Sequence, residues 1–418
     1  MRVSRSVALF VLLAVASIAV SGADAARPKP VKKPRAARKT KRANAQNVLG
    51  GVSASALDNA HIAIAWPAVS GAVAYQVRRG DLFVGTTTQT RFTDSLLWPS
   101  TRYDYTVSAL DGGGQTVKTV SASATTQALP VGGLPRVFPA SSVWNRPVPA
   151  NPTLDPKSAA KVAYFVANAR NPNLTLHAYA DPVAEVHPSD RSFDVPCTVY
   201  RCTLGAFGSV PIPVTASPDP ADDAHLSVYD PATHREWDMW QATKAGGSWS
   251  ASAGAAVSTL GDGLAPAGTA GANAANFPML GGIVRPEEIA QGHIDHALYF
   301  TMPNTGRGAP VCPATHNGGS TTSPNAPRQG ARFQLDPALD VDSLPIPSYA
   351  KILARALQKY GMYLRDQGGS FAIYGENPSS RGYDAWGNVG LGGLNSATLR
   401  GIPLDRFRVI ASPDYPNC

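Results

Sequence analysis

Between residues 50 and 128 apolar and polar positions alternate in short runs: HIAIAW, AYQVRRG, DLFVGTT, TRYDYTVSAL and TVKTVSASATT. A period of two marks strands with one face buried, and the Gly, Pro, Asp and Ser residues between the runs supply turns. This stretch therefore predicts a small β-sandwich. From residue 136 onward short strand patterns continue, and helical periodicity is sparse. Residues 158–170 read as a short helix stopped by Asn-Pro, and RPEEIAQG reads as a first helical turn with Pro286 at its start. The long helix is at 349–360, where Tyr349, Ile352, Leu353, Ala356, Leu357 and Tyr360 form one stripe, with Ser348 as N-cap and Gly361 just past the end. MYLRDQGGSFAIY reads as a hairpin and FRVI as the last strand. The fold class is mainly β: a small sandwich, then a larger jelly-roll or sandwich-like domain with one or two packed helices. No internal repeat points to a propeller or solenoid.

Two stretches combine a titratable face with a greasy one. In QGHIDHALYF, residues 291–300, strand alternation puts His293, Asp295 and Tyr299 on one side and Ile294, His296, Leu298 and Phe300 on the other. By that parity His296 is a core histidine. In HLSVYDPATHREWDMWQ a turn at Asp230-Pro231-Ala232-Thr233 sets Tyr229 opposite His234, Ser227 opposite Glu236 and His225 opposite Asp238. Leu226, Val228, Trp237 and Met239 then face the core, while His225, Ser227, Tyr229, Glu236, Asp238 and Trp240 face the other way. A His225–Asp238 couple would fix the imidazole tautomer and make the other ring nitrogen a better base.

The first region resembles the fibronectin type III family. Trp66, followed by Tyr75 and Val77, matches that family's early-strand tryptophan, and Leu97, Pro99, Thr101, Tyr103, Tyr105, Val107 and Ala109 match its L-x-P-x-T-x-Y-x-Y-x-V-x-A signature. The resemblance implies a spacer or binding module, with Tyr103 bonding nearby backbone as a tyrosine corner. EWDMW partly resembles the E-x-D-x-E strand of laminarinase-like retaining hydrolases at Glu236 and Asp238. Trp240 stands where their acid/base glutamate belongs, so that mechanism does not transfer.

Charge and cysteines place the chain. Arg2 and Arg5 precede an apolar run at 7–20 and the small-x-small triplet Ala23-Asp24-Ala25, the pattern of a signal peptide ending at residue 25. Residues 26–49 form a basic, Pro-rich tail holding nine Lys/Arg between 27 and 42; with the signal segment set aside as well, the formal +8 becomes −2 for the rest. The charge is thus in an extended tail, a solvated spacer or else a segment that holds anionic cell-wall polymer or lipid headgroups, and not on a folded face that would bind nucleic acid. No apolar stretch reaches the ~20 residues of a transmembrane helix. Domains are expected at 50–128 and 136–418, joined by a linker at 129–135. In an exported chain Cys197 and Cys202 are placed for one disulfide, leaving Cys312 with Cys418 for a second.

The two polar faces suit a secreted or cell-wall-associated protein that works on polysaccharide. Acids, imidazoles and flat aromatics on a concave sheet can meet both the hydroxyls and the C–H faces of sugars. A hydrolase needs paired carboxylates about 5–5.5 Å apart for retention or about 6.5–9.5 Å for inversion, which nominates Asp238, Glu236 and Asp295. A lyase on uronic-acid polymer needs a base and a group to neutralise the carboxylate, which nominates His293, His225, Tyr299 and Arg285. Trp240 and Trp249 would stack on sugar rings. The competing class is a non-catalytic glycan-binding envelope protein. No cofactor is called for. His293 and His225 with a carboxylate are the residues that would hold a metal ion, yet no compact motif such as H-E-x-x-H is present. G-x-S-x-G is absent too, against an α/β-hydrolase.

Overall fold

Alternation in the first region produces seven strands: β1 (Ser53–Ala56), β2 (Ile62–Ala65), β3 (Ala74–Arg79), β4 (Leu82–Thr87), β5 (Arg91–Asp94), β6 (Arg102–Leu110) and β7 (Thr116–Thr125). They pair as a three-stranded sheet, β1-β2-β5, and a four-stranded one, β4-β3-β6-β7. The two sheets share a core containing Ile62, Ile64, Trp66, Tyr75, Val77, Tyr105 and Val107. The Trp98 N–H donates to the Tyr103 hydroxyl at 2.8 Å, so the expected corner is formed. The computed structural model describes residues 51–200, 202 and 208–412. The signal segment, the basic tail and Cys418 lie outside them. Among the described residues no helix is long and apolar enough to cross a membrane.

Next along the chain come α1 (Ser158–Asn168), β8 (Asn173–Thr175), β9 (Asp181–Glu185) and a small ribbon of β10 (Ser192–Phe193) with β11 (Val210–Pro211). They are followed by β12 (Leu226–Asp230), β13 (Arg235–Trp240), a hairpin of β14 (Thr243–Ala245) with β15 (Ser248–Ser250), and β16 (Ala253–Ser258). The last portion holds α2 (Pro286–Gln291), β17 (Leu298–Met302), β18 (Arg332–Leu335), α3 (Ser348–Lys359), β19 (Met362–Gln367), β20 (Ala372–Tyr374), β21 (Glu376–Asn377), β22 (Ser396–Thr398) and β23 (Phe407–Ile410).

These strands form a five-stranded sheet, β16-β13-β12-β9-β21, and a seven-stranded sheet, β22-β8-β20-β17-β19-β18-β23. Mainly β is the right class. Of the two arrangements expected, sandwich-like is the closer: both sheets are mixed, with β17 parallel to β19, β20 to β8 and β12 to β9, which an all-antiparallel jelly roll does not contain. Gly375 carries the chain from β20 in one sheet to β21 in the other. A Cβ there would stand 2.3 Å from the Thr175 carbonyl, so only glycine permits the crossing.

β17 is buried on both faces. Leu298, Phe300 and Met302 join the core under α1 and α3, while Tyr299 joins a second core with Trp144, Phe277 and Tyr363. A strand covered on both sides shows no polar alternation. β17 also separates β19 from β20, so MYLRDQGGSFAIY is not a hairpin; each half pairs with β17. α3 runs from Ser348, with Pro347 in the N-cap position and Tyr360 in the C-cap position, and Gly361 follows at φ +71° as the left-handed stop.

Polar contacts tie the first sandwich to the larger portion. His61 Nε2 lies 2.5 Å from Glu185 Oε1 while its Nδ1 faces Asp58, and Ser95 meets His187 at 3.0 Å. Burial alone would lower the His61 pKa, but Glu185 and Asp58 outweigh it and raise it to about 9. A histidine raised in the folded state contributes stability that is full below its unfolded pKa of about 6.5 and is lost as pH rises through about 9. Urea midpoints of the wild type and His61→Ala should therefore converge between those pH values; a gap that stays constant would refute the linkage.

Candidate functional site

A cleft of about 860 Å³ opens where the two sheets meet. One wall comes from the seven-stranded sheet: Thr175, Thr301, Asp366 and Tyr374. The other comes from the five-stranded sheet and the loops at its end: Asp222, Asp223, His225, Trp240, Tyr179 and Tyr200.

Local structure sets each group. Residues 222–225 run beside the end of β13, because the Gln241 and Ala242 N–H groups donate to the Asp223 and Ala224 carbonyls. That places Asp223 Oδ1 3.1 Å from the Trp240 indole N–H, which donates to it. Cys197 and Cys202 are bonded, with Cα atoms 5.5 Å apart, and their loop docks through Tyr200 N–H to the Ser252 carbonyl. The loop presents Tyr200 to Trp240, with centroids 6.2 Å apart and planes inclined by 30°. Tyr179 is half exposed at φ +59°, its N–H directed to both oxygens of Asp219 at 3.2 and 3.1 Å. Burial pushes the Asp219 carboxyl up to about 7 against the hydrogen bonds it accepts. Asp366 accepts from the Ala274 and Gln367 N–H groups, and burial raises its pKa although Arg365 pulls the other way.

Behind the wall Arg365 is fully buried, bidentate to Asp181, and lies 4.0 Å over the Tyr374 ring. Asp181 Oδ1 stands 3.6 Å from His225 Nδ1, while His225 Nε2 is 3.0 Å from the Ala272 carbonyl, which requires a proton on that nitrogen. His225 thus sits at the cleft wall, though not opposite Asp238.

The hairpin register explains this. β12 and β13 pair Tyr229 with Glu236 and Ser227 with Asp238, two residues away from the expected alignment. Asp230 accepts from the N–H groups of Ala232 and Thr233, and His234 adopts φ +53°, so the turn spans four residues. A shift of two keeps the faces but dissolves the His225–Asp238 couple. The acid face is also roofed rather than open. Met279 N–H donates to Asp238 Oδ2 at 3.0 Å and Leu280 N–H to Glu236 Oε1 at 2.9 Å. The Tyr299 ring fills the same interior against Gly281 and Gly282, where added Cβ atoms would stand 2.3–2.8 Å from it. Burial and the neighbouring Asp238 raise the Glu236 pKa strongly, and burial pushes Asp238 up to about 6. Glu236, Asp238 and Tyr299 are therefore interior groups, not cleft groups.

The remaining expected residues scatter. Residues 292–297 are not strand, because Gly292 at φ +85° ends α2 and β17 begins only at Leu298. His293 pairs with Asp295 at 3.0 Å on the outer surface, where Asp295 also meets Lys359 and the Tyr360 hydroxyl. Neither lines the cleft. His296 bonds Glu288 and the Ala297 carbonyl and is a satisfied structural histidine, although no strand alternation puts it there. Arg285 caps α2 and borders a separate space of about 320 Å³ with His61 and Glu185. Trp249 is in the core, 2% exposed, with Lys244 over its ring. Cys312 is disulfide-bonded. Only His225 and Trp240 of the expected site residues reach the cleft. Asp222, Asp223, Tyr200, Tyr179 and Asp366 were not singled out, although the Asp-Asp pair two residues before His225 was a visible signal. No three of the described His, Cys, Asp or Glu residues stand together as a metal-binding group.

The protein class defined so far is a mainly β chain with an acid- and aromatic-lined cleft between two mixed sheets. No family model matches it. Exoglucanase B of Cellulomonas fimi is 35% identical over 107 residues, 24% of this chain and 10% of that protein. A poly(3-hydroxybutyrate) depolymerase of Ralstonia pickettii is 37% identical over 78 residues, 18% of this chain and 16% of that one. The chain thus spans a sixth or less of the length of these curated relatives. Among solved structures, an Fn3-like protein from Clostridium thermocellum is 28% identical, with a TM-score of 0.17 over 19% of this chain and 92% of that one.

Proposed function

We propose that this is an exported polysaccharide-active protein whose cleft holds a segment of glycan, with residues 50–128 acting as a fibronectin type III-like spacer. The observation that carries the reading is the cleft itself: an aromatic pair, Trp240 and Tyr200, in the same wall as the carboxylates Asp222 and Asp223, with Asp366 in the opposite wall. Flat rings receive the C–H faces of sugars and carboxylates receive their hydroxyls. The partial match to an exoglucanase agrees with this reading. Turnover would use Asp366, whose raised pKa suits a proton donor. The basic tail would hold the protein near anionic wall polymer.

Binding without turnover is the second reading. His225, the expected base, is occupied by the Ala272 carbonyl and Asp181, which favours a structural role. A panel of oligosaccharides separates the two. Binding should appear by calorimetry and fall about ten-fold or more in Trp240→Ala. New reducing ends mark a hydrolase, unsaturated uronates mark a lyase, and neither marks a binder. Unchanged affinity in Trp240→Ala would remove the cleft from the reading.

A further inference from the structure

We infer that the cleft selects sugars bearing positive charge, of the free-amine hexosamine class, over uronates; this rests on the glycan reading of the same site. Three carboxylates line the cleft: Asp222, exposed at the rim; Asp223, half-buried; and Asp366, half-buried in the opposite wall. Among the described residues no lysine or arginine side chain lines it. The nearest guanidinium behind the wall, Arg365, is neutralised by its bidentate partner Asp181. His316 is at the exposed rim with Nδ1 2.9 Å from the Ala274 carbonyl, and His225 Nδ1, in a residue only 3% exposed, makes no hydrogen bond and faces the Asp181 carboxylate.

A low-dielectric cleft with one sign of charge attracts the opposite sign and repels its own. A uronate would enter against Asp222 and Asp223, with no lysine or arginine among the described lining residues to receive it. A protonated amine would meet Asp222 and Asp223, and the Trp240 and Tyr200 rings beside them add cation–π attraction. The Cys197–Cys202 disulfide holds Tyr200 in that arrangement.

The test compares three probes of equal length on the full chain by calorimetry: oligomers of glucosamine, their N-acetylated counterparts and oligogalacturonate. At low ionic strength, and a pH where the sugar amines are charged, the glucosamine oligomer should bind about ten-fold or more tighter than the acetylated one. Oligogalacturonate should bind worst. The preference should shrink with added salt and in Asp222→Asn with Asp223→Asn. Asp222 is exposed, and the Asp223→Asn substitution retains a side-chain oxygen for the Trp240 N–H, so the double variant keeps the fold. Equal binding of amine and N-acetyl oligomers, tighter binding of galacturonate, or an amine preference that survives in the double variant would each overturn the inference while leaving the glycan reading intact. Binding of none of the three would overturn both.

Discussion

Replacing Arg381 with methionine is expected to cost about 3–5 kcal/mol of stability. Its guanidinium is buried between two carboxylates from different elements. Nε and Nη2 donate to Glu376 of β21 at 2.6 and 2.8 Å, and Nη1 and Nη2 donate to Glu287 of α2 at 2.5 and 3.2 Å. Methionine fills the space but leaves two buried carboxylates without their cation. Removing one partner of such a cluster is far more damaging than removing all of it. Glu287→Gln and Glu376→Gln introduced alongside Arg381→Met should therefore restore part of the loss. Urea denaturation followed by tryptophan fluorescence measures both effects, and a loss under about 1 kcal/mol would contradict the account.

The second large effect is a pH dependence written into the roofed acid pair. Asp238 is pushed up to about 6 from 3.8, and Glu236 further from its ordinary value. Glu236 Oε2 and Asp238 Oδ1 are buried without a hydrogen-bond partner, and burial together with the neighbouring Asp238 raises the proton affinity of Glu236. A carboxyl whose folded pKa is raised stabilises the fold fully below its unfolded pKa. That contribution disappears as pH climbs through the folded value. Relative to Asp238→Asn, the wild type should gain on the order of 1 kcal/mol as pH falls from about 8 to about 5, with the rest of the gain coming below pH ~5. At pH ~8 the asparagine variant should be the more stable of the two, because position 238 no longer carries a buried carboxyl that must ionise. A difference that does not change with pH would refute the linkage.

The two stretches that drew attention in the sequence differ in how legible they were. Residues 53–125 and α3 follow local rules: alternation or a single apolar stripe, bounded by turn residues and a left-handed Gly361. The faces of β12 and β13 were readable too, but their register depended on whether the turn held two residues or four. The side chain of Asp230 decided that by bonding Ala232 and Thr233. QGHIDHALYF misled for a different reason. Its charged half is the exit of α2, held by Gly292 and the His296–Glu288 bond, and only its apolar half is strand. Asp366 and Tyr200 could not be paired from sequence. One ends β19 and the other sits in a disulfide loop 166 residues earlier, and only the meeting of the two sheets brings them to one cleft.

The double burial of β17 bears on how the chain acquires its form. Its neighbours, β19 and β20, lie about sixty and seventy residues further along, and β8 has neighbours only in β20 and β22. As the chain emerges in order, both strands wait unpaired until the closing third has been made. The sheet closes from the carboxyl-terminal side, so loss of residues beyond about 360 would leave β8, β17 and β18 without a partner strand.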